Sequence, residues 1–418
     1  MPLARTSWWG CFSLAISLSA LAGGADSAAV LPFANSPAAG ASPGSAPLAA
    51  SASSLDWVGE SITETIREAL ASHGVVTLDR DDVLEGFRRL RLRPSLEPSA
   101  ASVLKLGETM DVEQIVSGSF SVTAAPGTDS KGSLKVSARV SDRHRMRQSP
   151  EFRETGALED LVTIEAHLAW RALEAIAPQQ APPESEFRSL RFNIRLDAEE
   201  SYVRGLLANA PDQKEKYFLQ AARLDPSYAH PCFQLGLLHL ARKEYHPAAD
   251  WLERVGSNDV HYREANFYLG LARLESGDPA GAQKAFQMIA ATVPLSEVFN
   301  NLAAAENRRN LPQAVDDFRK ALDGDPNDPD YHFNLGYALF KRGDFTAAAE
   351  RFRAVLDRVP DDQMATLLLG RCLKKQALVR TADPRSSEAR LQTLERLKRT
   401  YQERAYWQLK SVLESKTP

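Results

Sequence analysis

A small residue recurs through the second half of the chain at Gly236, Gly270, Ala303, Gly336 and Gly370, in steps of 34, 33, 33 and 34 residues. A sustained period of this length demands one short unit, copied, each copy packing on the next. Residues 328–360, "DPDYHFNLGYALFKRGDFTAAAERFRAVLDRVP", show the unit most sharply. Leu335, Leu339 and Phe352 fall at helical spacing. Gly336 and Ala348 lack bulk where two antiparallel helices must approach. Gly343 stands where a helix ends in a left-handed residue, and Pro360 stops the second helix because it cannot continue the hydrogen-bond ladder. The other copies repeat this logic: Gly270 with Ala282, Phe286 and Pro294, Ala303 with Ala314, Phe318 and Pro326, and Gly236 with Ala248. The copy at Gly236 lacks the closing proline, and the first, over 202–226, is degenerate in its first helix but keeps Phe218, Ala221 and Pro226.

The period and the registered Leu335-Gly336, Leu339, Gly343, Phe345, Ala348, Phe352, Leu356 and Pro360 resemble the tetratricopeptide repeat (TPR). The resemblance implies an all-α solenoid over 196–385, with about six repeats, whose first helices line a concave groove. In that family positions 2, 5, 9, 12 and 13 of each repeat face the groove. By register the candidate protein-binding residues are Phe233, Phe267, Asn300, Asn307, Arg308, Phe333, Tyr337, Phe340, Lys341, Arg371, Lys374 and Lys375, with His230, Leu237, Leu240, Glu264, Leu271, Leu274, Ala304 and Leu367 beside them. The early part is aromatic and aliphatic and the later part polar and basic. Such a groove suits an extended or helical peptide with an apolar stretch and acids towards one end. Phe233 and Phe267 are equally placed to pack against neighbouring helices or the N-terminal domain. The Lys and Asn of the carboxylate-clamp subfamily are missing from positions 5 and 9, so capture of a chaperone tail is not implied.

Beyond Gly370 the pattern drifts. Leu391, Leu394, Leu397, Tyr401 and Leu409 form a stripe at helical spacing, which predicts a capping helix and tail over 386–418 that covers the end of the stack. The competing reading of that stripe is a short partner-binding coiled coil.

In front of the repeats, residues 29–177 alternate strand and helix patterns. A short apolar run with β-propensity opens the series at Ala29-Val30-Leu31-Pro32-Phe33. "LDWVGESITETIREALASH" places Leu55, Val58, Ile62, Ile66 and Leu70 on one helical face. "GVVTL" reads as a strand, "RDDVLEGFRRLRL" and "ASVLKLGETM" as helices, "EQIVSGSFSV" and "GSLKVSARVSD" as a hairpin around "TAAPGTDSK", and "GALEDLVTIEAHLAWRALEAI" as a closing helix. Pro32, unable to donate to a ladder, predicts that the first strand lies at an edge or at the end of its pairing. This order predicts an α/β sandwich domain, followed after a linker at 178–195 by the solenoid. Val30-Leu31-Pro32-Phe33, "WVGESITETI", Leu106-Gly107 before "VEQIVSGSFS", and "VSARVSD" resemble the N-terminal α/β domain of TolB and the related FlgO-like and CsgG-like envelope domains. The Ala/Ser/Pro/Gly tract at 36–54 is longer than that family's link and reads as a flexible insert.

The chain opens with the pattern of an export signal. Arg5 precedes the apolar "SWWGCFSLAISLSALA" at 7–22, and Ala20-Leu21-Ala22 offers small-x-small cleavage spacing. A periplasmic or envelope-associated protein follows as the expectation, with no membrane-spanning segment in the mature chain. Only Cys232 and Cys372 lie beyond the signal, tens of residues and several repeats apart, so no disulfide framework is expected. A net charge of −4 argues against nucleic-acid binding. No phosphate loop, H-E-x-x-H or C-x-x-C occurs, and no cofactor or metal is expected. His239 and His246 lack a third ligand, and "DGDPNDPD" at 323–330 lacks the closing Glu and the glycine of a calcium loop. The function that remains is a non-enzymatic protein-interaction scaffold with a protein or peptide partner of the envelope. The alternative is a sensor in which the α/β domain binds a small molecule and the repeats relay its state.

Overall fold

The computed structural model describes residues 27–36, 55–123, 132–189, 194–379 and 386–414. The expected export signal, nearly all of the 36–54 insert and most of the hairpin turn lie outside the described residues.

The N-terminal half is a mixed seven-stranded sheet with helices on both faces. Strand β1 (Ser27–Val30) lies between β3 (Val76–Thr77) and β4 (Gln114–Thr123), parallel to both. After an interruption at residues 31–33, β2 (Ala34–Asn35) pairs with β4 further along. Pro32 therefore falls at the end of the β1 pairing, the second of the two places expected for it, inside the sheet and not at its edge, and the neighbouring Leu31 amide still donates to Val116 O at 2.8 Å. β4 runs antiparallel to β5 (Ser133–Asp142), whose far side carries β6 (Arg147–Gln148) and β7 (Phe152–Ala157). β7 was hidden in the sequence because "FRETGA" has one buried apolar side chain, Phe152, and otherwise polar or small residues.

One face of the sheet is covered by α1 (Asp56–Ser72) and α4 (Leu161–Ile176), and the other by α2 (Arg80–Arg89) and α3 (Ala100–Met110). Two glycines permit close approaches, Gly59 of α1 to the link between β1 and β2, and Gly118 of β4 to β5 and the Phe33 ring. A Cβ on Gly59 would sit 2.3 Å from the Phe33 carbonyl oxygen, and one on Gly118 2.3 Å from the Ser137 carbonyl oxygen. The first part of the stretch expected as a linker, residues 178–189, is held against the domain. It contains α5 (Glu184–Ser189), whose Phe187 is buried, and Trp170 Nε1 donates to Pro182 O at 2.9 Å.

Five antiparallel helix pairs follow: α6 (Leu196–Leu207) with α7 (Pro211–Leu224), α8 (Ala229–Ala241) with α9 (Tyr245–Leu252), α10 (Tyr262–Glu275) with α11 (Pro279–Ala290), α12 (Ser296–Arg308) with α13 (Ala314–Gly324), and α14 (Pro329–Lys341) with α15 (Phe345–Leu356). A single helix, α16 (Gln363–Leu373), extends the row. Within the pairs the recurrent glycines sit at the helix crossings: a Cβ on Gly236 would meet Leu252 at 2.4 Å and one on Gly270 would meet Phe286 at 2.5 Å, whereas one on Gly370, in the single helix α16, would meet nothing. Seven residues beyond each small residue the first helix ends in a left-handed turn, at Lys243, Gly277, Asn310 and Gly343.

The two halves share one hydrophobic core. Tyr202, Phe218, Tyr228 and Leu235 of the first two pairs belong to the same buried cluster as Trp57, Ile62, Ile66 and Leu168.

The C-terminal stripe does not form the expected capping helix. It begins as a single turn, α17 (Ser387–Arg390), runs on without helix or strand to residue 402, and ends in α18 (Glu403–Glu414). Its middle section lies on the first helices of the repeats.

Candidate functional site

The concave surface of the solenoid is filled by residues 391–402 of the same chain, held largely through their backbone. Asn334 makes an amide-to-backbone pair with Arg396: Arg396 N donates to Oδ1 and Nδ2 donates to Arg396 O, both at 2.8 Å. Asn301 does the same two residues on, with Lys398 N to Oδ1 at 2.9 Å and Nδ2 to Lys398 O at 2.8 Å. In an extended chain the N–H and C=O of alternate residues point the same way, so side-chain amides can grip residues i and i+2 as a neighbouring strand would. Asn300 joins the two clamps, donating to Arg396 O at 3.0 Å and to Asn301 Oδ1 at 3.1 Å while accepting from Asn334 at 2.7 Å. At the ends, Tyr337 donates to Leu391 O at 2.8 Å and Gln402 N donates to Glu297 Oε1 at 2.8 Å. Asn300, Asn301 and Asn334 are wholly buried beneath the segment.

This explains why the stripe is not a helix. A helix would satisfy its backbone internally and leave the three buried asparagines only the bonds they make to one another, and a buried group stranded in this way costs about 1–3 kcal/mol. The extended course satisfies both, and it still buries Leu391 and packs Leu394, Leu397 and Tyr401 against the repeat clusters.

Charge fixes the register. Glu395 accepts from Asn307 Nδ2 at 2.7 Å and pairs with Arg308 at 3.3 Å. Arg396 reaches Asp362 at 2.6 Å and Asp330 at 3.3 Å, with its guanidinium 3.7 Å above the Phe333 ring centre. Lys398 pairs with Asp328 at 2.6 Å and Asp330 at 2.8 Å, and Arg399 with Glu275 at 2.5 Å. Burial works against the Lys398 charge, but the two aspartates outweigh it and hold its ammonium above the usual lysine range. Burial likewise opposes the Asp362 carboxylate, and the Ala365 amide and Arg396 reverse that and lower it. Lys398 also lies over the Tyr331 ring at 4.9 Å.

Half of the twelve candidate groove residues meet this segment. Asn300, Asn307, Arg308, Phe333 and Tyr337 touch it directly, and the Phe267 ring lies tilted against Tyr401 at a ring distance of 5.3 Å. Lys341 donates to Asn307 O at 2.8 Å instead, and Phe340 is buried against Phe345. Phe233 is buried against His261 at a ring distance of 4.6 Å, away from the segment. Arg371 pairs with Glu388, whereas Lys374 and Lys375 are exposed. The expected preference for acids towards the basic end is thus only part of the recognition. The segment presents one acid, Glu395, and three bases: Arg396 and Lys398 meet acids at the starts of first helices, and Arg399 meets Glu275 at the end of α10. Asn301 and Asn334, the central clamps, were missed because both occupy position 6, outside the register used. An amide recurring there in otherwise apolar helices was the available signal.

Beyond the groove the segment reaches the α/β domain. Arg404 pairs with Asp79 and Asp82, each at 2.9 Å, and Arg263 of α10 pairs with Glu403 at 2.6 Å. Where the two halves abut, a buried polar cluster has formed. Arg67 pairs with Glu64, and Ser61 Oγ donates to Glu199 Oε1 at 3.1 Å. Burial and the Glu68 charge push Glu199 up to about 7. Burial would depress His230, but Glu68 and Asp259 outweigh it and raise the imidazole to about 9.

Comparison with known proteins agrees with the helix pairs. Family models described as TPR or tetratricopeptide repeats match residues 264–296, 309–343 and 337–405, the last continuing across the extended segment. No curated protein matches the chain. Among solved structures, YrrB, described as a TPR protein with an unusual peptide-binding site, is 19% identical and covers 41% of this chain and 91% of its own at a TM-score of 0.39. MamA from Desulfovibrio magneticus RS-1 is 21% identical, covering 41% and 99% at a TM-score of 0.37. The Cut9–Hcn1 assembly of the anaphase-promoting complex gives 19% identity over 51% and 41% at a TM-score of 0.34. Together with the period, the small residues at the crossings and the left-handed helix ends, the model matches identify the repeated helix pairs as tetratricopeptide repeats.

Proposed function

We propose that this chain is a non-enzymatic scaffold of the periplasm or outer envelope that takes an extended segment of a partner protein into its concave groove. Its own residues 391–402 are the resident occupant. The carrying observation is the pair of asparagine clamps, Asn301 on Lys398 and Asn334 on Arg396, which grip backbone and are therefore open to any chain that brings suitable side chains. The partner segment this groove suits has apolar residues near three-residue spacing, an acid for Asn307 and Arg308, and bases for Asp328, Asp330 and Asp362. A tethered occupant acts at an effective concentration on the order of 1 mM, so a competitor at about 10 μM is outweighed roughly 100-fold. Binding in trans then requires a tighter partner, or release of the tail. The α/β domain, with its likeness to envelope domains, and the signal-like start support the location. N-terminal sequencing of the exported protein should begin near Gly23.

The test uses the full-length chain with Glu395→Lys and Arg396→Glu, which reverses the tail's charges and leaves the groove intact. A labelled peptide of residues 386–404 should bind this variant and be excluded from the wild-type chain. Failure to bind the variant would overturn the groove assignment.

A further inference from the structure

At the junction of the two halves, Glu68 of α1, His230 of α8 and His261 beside α10 converge. One donor atom from each lies within 4.8 Å of the other two. Glu68 is buried, and its Oε1 has no hydrogen-bond partner, standing 3.3 Å from His230 Nδ1 without the alignment of a bond. His261 Nε2 is likewise buried and unpaired. Two unpaired polar atoms from opposite sides of one interface are costly unless something sits between them.

The outer nitrogens are already engaged. Asp259 Oδ2 lies 3.3 Å from His230 Nε2, and Glu264 Oε2 lies 3.7 Å from His261 Nδ1. A carboxylate on the far nitrogen of an imidazole leaves the near nitrogen free to ligate. Phe233 stacked on His261 at 4.6 Å and the His230 ring edge-on to it at 5.5 Å hold both rings. The acids Glu64, Glu68, Glu199 and Asp259 gather here with the Arg67 guanidinium. His261 and Arg67 also line a cavity of about 740 Å³ between the α/β domain and α18, which offers a path from solvent.

We propose that Glu68, His230 and His261 bind a divalent transition-metal ion of the zinc class, which ties the α/β domain to the repeats. Two imidazole nitrogens and one carboxylate oxygen, with solvent in the fourth place, form a tetrahedral donor set suited to zinc. The ligands come from both halves, so the ion stabilises their junction rather than either half alone. His239 and His246, the histidine pair weighed from the sequence, lie elsewhere. The first bonds Glu244 at 2.6 Å and the second is exposed, and Glu68 lies more than 150 residues from either histidine of the site.

The test is titration of the metal-free full-length chain with Zn(II) by calorimetry at pH 8, and with Co(II) by visible absorption. One equivalent should bind with a dissociation constant on the order of 1 μM or tighter. Co(II) should develop the intense d–d bands of a four-coordinate site. His230→Ala and His261→Ala should each weaken binding beyond the roughly 10–100-fold typical of a lost outer partner. His246→Ala should leave binding unchanged. Absence of one-to-one binding in the wild-type chain overturns the proposal whatever the variants do. Retained affinity in a folded His261→Ala chain, judged by circular dichroism, overturns it as well. Neither result bears on the groove.

Discussion

Asn334→Ala tests the clamp at its centre. In the wild-type chain Asn334 donates to Arg396 O, accepts from Arg396 N and donates to Asn300 Oδ1, and it is wholly buried. Truncation leaves the Arg396 N–H and Asn300 Oδ1 unpaired, while Arg396 O keeps its bond from Asn300. A buried group stranded in this way costs about 1–3 kcal/mol. With two groups stranded and some relief from water entering the gap, tail docking should weaken by about 2–3 kcal/mol, or roughly 30- to 150-fold. Native-state hydrogen exchange reads this directly. The Arg396 and Lys398 amides should be protected in the wild-type chain and should exchange faster by that factor in the variant. Trypsin should then cut after Arg396, Lys398 and Arg399 earlier than elsewhere. Exchange at these two amides that is fast in the wild-type chain, or unchanged by Asn334→Ala, would refute the clamp.

Three further outcomes follow from the same structure. Arg404→Ala removes the pairs with Asp79 and Asp82 and should speed proteolysis of α18 while leaving Arg396 protected, since the clamps lie elsewhere; loss of both together would show that groove and domain contacts form one unit. Burial and the nearby Asp317 push Glu306 up to about 7, so the folded chain holds that proton more tightly than the unfolded one. Stability from this group therefore falls as pH rises from about 4.5 to 7 and is level above, and Glu306→Gln should raise the melting temperature at pH 8 but not at pH 4; an equal effect at both would contradict this. Gly118→Ala drives a methyl into the Ser137 carbonyl oxygen and the Phe33 ring, and denaturant unfolding should show a loss of about 1–3 kcal/mol or more, against little change for alanine at the open Gly256.

The groove was partly legible before the fold was known. Asn300, Asn307, Arg308, Phe333 and Tyr337 follow from repeat register alone, because each repeat presents the same helix positions to the same surface. What covers them was not legible. Leu391, Leu394 and Leu397 are spaced three apart, a spacing that an amphipathic helix and an extended chain on an apolar floor can both use. Helix and extended chain differ only in where the backbone hydrogen bonds go, and here the partners are asparagines about 60 and 100 residues away. The cluster of Glu68, His230 and His261 was invisible for the same reason, since one ligand lies in the α/β half and two in the repeats.

The sequence by itself determined the repeated unit. The 34-residue period, the small residues at Gly236, Gly270, Ala303 and Gly336, and the left-handed ends such as Gly343 are local demands, met within one helix pair by residues close in the chain. Only the tertiary structure decided that β1 lies inside the sheet, that the two halves share a core around Tyr202 and Trp57, and that the tail fills the groove. Those outcomes depend on which distant surface satisfies a buried polar group or covers an apolar one, and such pairings form between residues whose spacing along the chain carries no period.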